Sequence, residues 1–140
     1  MILCRAVEGD QSPTSSATRK IRNQCADFLT RFKVATNLGH FSALKRSEFI
    51  QNLFDLSLCP NDALKIIEEL TVDDYCAGPE PDHYDQSIEV WTFGYRLKKN
   101  TEVYIKLRMR LIARGKIEQA ELWSFHRSKH SMTYPLRGAR

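Results

Sequence analysis

The sequence predicts an α+β fold, with N-terminal helices packed on one face of an antiparallel β-sheet. Three observations carry that expectation. Apolar residues between Ile21 and Phe32 recur at helical spacing. From Ile88 onward β-branched and aromatic residues alternate with polar ones, as in half-buried strands. The helical stretches all precede the strands, so no βαβ unit is written into the order.

Taken in order, residues 1–18 read as a flexible N-terminal extension, because "DQSPTSSAT" is rich in small polar residues, and residues 19–140 read as one domain. A first helix begins at Arg19 and buries Ile21, Cys25, Phe28, Leu29 and Phe32, ending near Gly39. A second starts with Ser47 as its cap and buries Phe49, Ile50, Leu53 and Phe54. A third takes Asn61 as cap, sets Asp62 against the helix dipole and buries Leu64, Ile67 and Leu70. The Gly- and Pro-punctuated stretch Ala77–Ser87 reads as a loop. Strands are expected over Ile88–Tyr95, Glu102–Ile112 and Ile117–His126, with "MTYPL" as a last edge segment.

At 140 residues, with 42% hydrophobic and 27% charged residues, the chain suits one soluble domain. No apolar run approaches the roughly 20 residues that span a bilayer, and the first residues lack the apolar core of a secretory signal. Four cysteines without a CxxC pair fit a reducing, cytoplasmic setting. Cys76 with Asp82, His83 and Asp85 matches no standard zinc spacing, so neither a metal nor a cofactor is expected. The net charge of +4 is a mild bias towards anionic partners. Its distribution is sharper, since residues 96–116 carry eight Lys and Arg against Glu102 alone.

Side chains alternate along a strand. In "EVYIKLRMRLI" this puts Val103, Ile105, Leu107, Met109 and Leu111 on a core face, and Glu102, Tyr104, Lys106, Arg108 and Arg110 on an open, cationic one. In the next strand Trp123 and Phe125 are expected in the core, with Ser124 and His126 on the open face. That constellation suits RNA chemistry. Cleavage by 2′-OH attack needs a base, an acid and cations around a crowded phosphate, and His, Tyr, Lys and Arg supply them. Imidazole as a class titrates near neutral pH. The candidate catalytic residues are therefore His126, Tyr104 and Lys106, with Arg108, Arg110, Arg127, Lys129 and His130 as candidate RNA- or phosphate-binding residues. The same basic face also fits a solvated surface, or a non-catalytic module that binds RNA or a protein.

The order of motifs from about Cys25 to Pro135 resembles the MqsR-type toxins of type II toxin–antitoxin systems. It runs from "ELTVDDY" at a helix end through an acidic loop and a Trp-bearing strand to "EVYIKL" and "SFH". "AGPEPD", "TFGY", "VYIKL" and "WSFH" are similar to a "YIK…SFH" subgroup of such toxins. The resemblance implies a RelE-like fold, metal-independent cleavage of mRNA, and inhibition by a cognate antitoxin protein encoded nearby. It implies that Tyr104 stands at the family's catalytic tyrosine and His126 at its terminal lysine. Cys76 and Thr92 stand where the family has a lysine and a glutamine, so the roles of those two positions are not carried over.

Overall fold

The computed structural model describes residues 15–85 and 88–138. Three helices precede most of a five-stranded sheet, an α+β arrangement. The elements are α1 (Ser16–Asn37), β1 (Phe41–Ala43), α2 (Arg46–Asp55), α3 (Pro60–Glu69), a 3₁₀ turn (Val72–Asp74), β2 (Tyr75–Pro81), β3 (Glu89–Lys98), β4 (Thr101–Ile112) and β5 (Ile117–Arg127). Residues 1–14 of the expected extension lie outside the described residues. Its last part is helical, because the Ser15 hydroxyl accepts from the Thr18 N–H and caps α1, which begins at Ser16, three residues before Arg19.

The expected α1 stripe is the core. Cys25, Phe28, Leu29 and Phe32 are buried, with Ile21 packed at their edge. Phe28 stacks on Trp91 and Phe93 of β3 at 5.4 and 6.5 Å. Truncating so buried a ring removes about 3–5 kcal/mol. Gly39 at +84° closes the helix, with its own N–H and that of His40 donating to the Thr36 and Ala35 carbonyls.

The sheet order is β1-β5-β4-β3-β2. β2 to β5 form an antiparallel meander, while β1 adds a short parallel edge against β5 that sequence reading did not anticipate. Three residues are too few for an alternation signal. Residues 75–81, expected mostly as loop, form β2 instead, with register shifts around Gly78 and Pro79. Gly78 is required there, because a Cβ would sit 2.8 Å from the Val90 carbonyl oxygen. The "MTYPL" segment is not a strand; it crosses the sheet as irregular chain.

Helix caps and faces also differ in detail. α2 starts one residue after Lys45, which adopts a left-handed conformation, rather than at Ser47. It buries Phe49 and Leu53 and leaves Phe54 78% exposed. α3 is capped at Cys59, whose N–H donates to the Asp62 carboxylate at 2.9 Å, and Pro60 takes the first helical position.

The largest correction lies in β5. Lys106 pairs with Ser124, yet the next residue, Leu107, pairs with Leu122. Trp123 is the extra residue of a β-bulge. The bulge resets the alternation, so Leu122 and Ala120 join Phe125 in the core and Trp123 leaves it. By the same shift Glu121 turns to the open face, opposite Arg108.

Candidate nucleic-acid interface

β4 carries Glu102, Tyr104, Lys106, Arg108 and Arg110 along the face away from the helices, about 7 Å from one to the next. Its core-facing partners Val103, Ile105 and Leu107 are fully buried, which fixes the strand's rotation. Across the ladder Tyr104 stands beside Gly94 and His126, and Lys106 beside Thr92 and Ser124.

Tyr104 and His126 are stacked, with centroids 5.0 Å apart and ring planes 14° from parallel. His126 Nδ1 lies 2.9 Å from the Arg127 carbonyl oxygen. A carbonyl only accepts, so Nδ1 is the donor in this contact, and in the tautomer that makes it Nε2 is left as the acceptor. Neither the Tyr104 hydroxyl nor the Lys106 ammonium makes a hydrogen bond or ion pair among the described residues. These three groups are available to a ligand.

The two arginines are differently employed. Arg108 donates to Glu121 at 2.7 Å and to Asp82 at 2.6 Å, and Arg110 donates to the second Glu121 oxygen at 3.0 Å. Glu121 is 1% exposed. Burial alone would raise the Asp82 carboxyl, but the Tyr84 and Asp85 N–H groups and Arg108 outweigh it and hold it below its ordinary range. Arg108 thus serves the fold first, and Arg110, half exposed, keeps only part of its charge for a ligand. The Arg108 guanidinium and the Lys45 ammonium lie 4.6 and 4.7 Å from the Trp123 ring centroid. Lys45 forms no ion pair among the described residues, so it adds a cation that sequence reading did not select.

The chain after β5 bounds the other end of this face. The Ser128 N–H donates to the Glu102 carbonyl, the Met132 N–H to one Glu102 carboxylate oxygen, and the Tyr134 hydroxyl to the other at 2.7 Å. Tyr134 then crosses above Gly94, and Arg137 reaches the Asp73 carbonyl. Arg127 pairs with Val103, whose side chain faces the core, and is exposed on the side away from His126 with Thr101 as its partner. It is therefore not brought to the Tyr104–His126 pair. Lys129 and His130 line a hollow of about 340 Å³ with Arg96, Lys99 and Glu102, beyond Tyr104 along β4. Cys76, at the position where the resembled family has a lysine, keeps its Sγ 3.7 Å from the Asp74 carbonyl, and burial pushes its thiol up to about 11.

On the other side of the pair a second hollow, about 250 Å³, is walled by Trp123 and by residues 80–83, with Val90 and Lys106 within it. The Tyr104–His126 pair thus sits between a basic hollow and an aromatic one on one strand face. Sequence reading put Tyr104, Lys106 and His126 on one open face, and the structure has them on neighbouring positions of that face. Sequence reading missed Trp123 and Lys45, since a bulge and a three-residue edge strand bring them together. Compared with protein-family models, curated proteins and solved structures, the chain matches none of them.

Proposed function

We propose that the protein is an endoribonuclease that cleaves mRNA without a metal, a toxin of the type II toxin–antitoxin class. The observation that carries this reading is the stacked Tyr104–His126 pair, with His126 Nε2 and the Tyr104 hydroxyl uncommitted beside Lys106. His126 takes the proton of the 2′-OH through Nε2. The 2′-oxygen attacks the adjacent phosphorus and the P–O5′ bond breaks. The Tyr104 hydroxyl gives its proton to the leaving 5′-oxygen, and Lys106 offsets the charge that builds on the phosphoryl oxygens. The products are a 2′,3′-cyclic phosphate and a 5′-hydroxyl. Lys129, His130 and exposed Arg110 flank this centre as phosphate contacts. The antitoxin partner and its inhibition of this face rest on the motif resemblance alone.

The test is incubation of the purified protein with single-stranded RNA in chelator, with products read by mass spectrometry. Cyclic phosphate ends that are lost in His126→Ala and with a 2′-O-methyl substrate are expected. RNA that is bound but never cut, by wild type and variants alike, replaces the enzyme with a non-catalytic binding module. Growth arrest on induced expression, relieved by the product of a neighbouring reading frame, tests the toxin–antitoxin part.

A further inference from the structure

We infer that the hollow beside Trp123 is a nucleobase site, which seats the base next to the cleaved phosphate and favours one with an exocyclic amine. The inference rests on the reading of this face as RNA-binding and assigns a residue that sequence reading had placed in the core. Trp123 is half-buried and forms one wall of the hollow, across four strands from Pro81 and His83. Its volume of about 250 Å³ admits one planar base. Lys106 belongs both to this hollow and to the β4 row that holds Tyr104, so a base seated here is one residue pair along the strand from the Tyr104–His126 centre.

The wall is held before any ligand arrives. Arg108 lies against the indole, and its guanidinium is fixed by Asp82 and Glu121, both buried. A fixed aromatic wall loses little freedom on binding, which is the advantage of preorganisation. Protein aromatics are general platforms for single-stranded bases. Polar groups then set the preference. Asp82 is occupied by Arg108, whereas the Glu80 carboxylate makes no hydrogen bond or ion pair among the described residues. A free carboxylate accepts from an amine such as that of cytosine and repels a carbonyl edge such as that of uracil.

The chain's two tryptophans make a direct test possible. Trp91 is 1% exposed within the core, so a ligand reaching this face quenches Trp123. The full chain is titrated with uncleavable 2′-O-methyl hexacytidylate, with hexauridylate of the same chemistry, and with an abasic hexamer of equal charge. Expected are quenching by the cytidylate, little by the abasic chain, and affinity about tenfold or more weaker in Trp123→Leu, read by anisotropy of labelled oligomer. Trp123→Phe, which keeps an aromatic wall, retains most of the affinity and guards against a mere folding defect. Glu80→Gln brings cytidylate and uridylate together. Equal binding of the abasic chain, or undiminished affinity in Trp123→Leu, overturns the site. Base-dependent binding without any cleavage keeps the site and removes the nuclease. Cleavage with unchanged KM in Trp123→Leu does the reverse.

Discussion

Tyr104 and His126 face each other directly across β4 and β5, with their rings stacked at 5.0 Å. The contact separates two roles of the tyrosine. Tyr104→Phe keeps the stacked ring and removes only the hydroxyl. If that hydroxyl transfers a proton, single-turnover RNA cleavage falls by about 10²–10⁴ while affinity for uncleavable RNA stays within about twofold. Tyr104→Ala loses the same factor and a further one, because His126 then loses its ring neighbour. Cleavage by Tyr104→Phe at the wild-type rate removes Tyr104 from the chemistry.

Why was this pair legible while its neighbours were not? β4 is regular from Val103 to Met109, so counting by twos places Tyr104, Lys106 and Arg108 correctly. The count from Phe125 to His126 is equally local. It fails two residues upstream, where one bulged residue inverts the faces of Trp123 and Glu121. Counting charges along the chain fails for a related reason. Arg108 and Arg110 are cationic in sequence, but Asp82 and Glu121 reach them from distant positions and spend that charge inside the fold.

The Glu121 network yields a stability prediction. Glu121 is 2% exposed by side chain and holds two guanidinium groups, so Glu121→Ala leaves Arg108 without one of its two carboxylates in a largely buried place. Breaking such an arrangement from one side costs about 3–5 kcal/mol. Arg110→Ala removes a partner that is 46% exposed and costs under about 1 kcal/mol. Denaturant unfolding of the two variants checks the order. Equal losses would mean that Glu121 is not the hub.

Fold legibility divides along the same line. The α1 stripe was readable because Cys25, Phe28, Leu29 and Phe32 obey one period over about two turns. β2 was not, because Gly78 and the prolines that shape its irregular pairing are the residues that ordinarily mark loops. The caps of α2 and α3 were missed by two residues each, since a left-handed Lys45 and a cysteine cap carry no common signature.

A pH prediction follows from Glu102. The Tyr134 hydroxyl, against the opposing effect of burial and with help from the Met132 N–H, holds the Glu102 carboxyl below its ordinary range. Burial first, and then the bond to Glu102, raise the Tyr134 phenol. A depressed carboxyl stabilises the fold above its unfolded value and loses that contribution as pH falls through the folded one. A raised phenol contributes below its own unfolded value and loses that as pH rises further. The clasp is therefore complete between about pH 5 and 9. The Tm gap between wild type and Glu102→Gln should be full at pH 7 and close below about pH 4. A gap that persists undiminished at pH 3 contradicts the clasp.

Gly94 tests the irregular tail that crosses the sheet. A Cβ there would lie 2.5 Å from the Tyr134 hydroxyl oxygen and 2.8 Å from the Met132 sulfur, so Gly94→Ala must displace the Tyr134 and Met132 side chains. Overpacking of this kind costs about 1–3 kcal/mol. Tyr134→Ala alone loses the bond to Glu102, but it also empties the space that the new methyl group needs. The double variant Gly94→Ala/Tyr134→Ala should consequently be more stable than the sum of the two single losses, by roughly 0.5–3 kcal/mol in a double-mutant cycle. Additive losses would place the tail elsewhere. Because Gly94 is also the ladder partner of Tyr104, cleavage in Gly94→Ala reports whether the tail holds the Tyr104 end of the site in place.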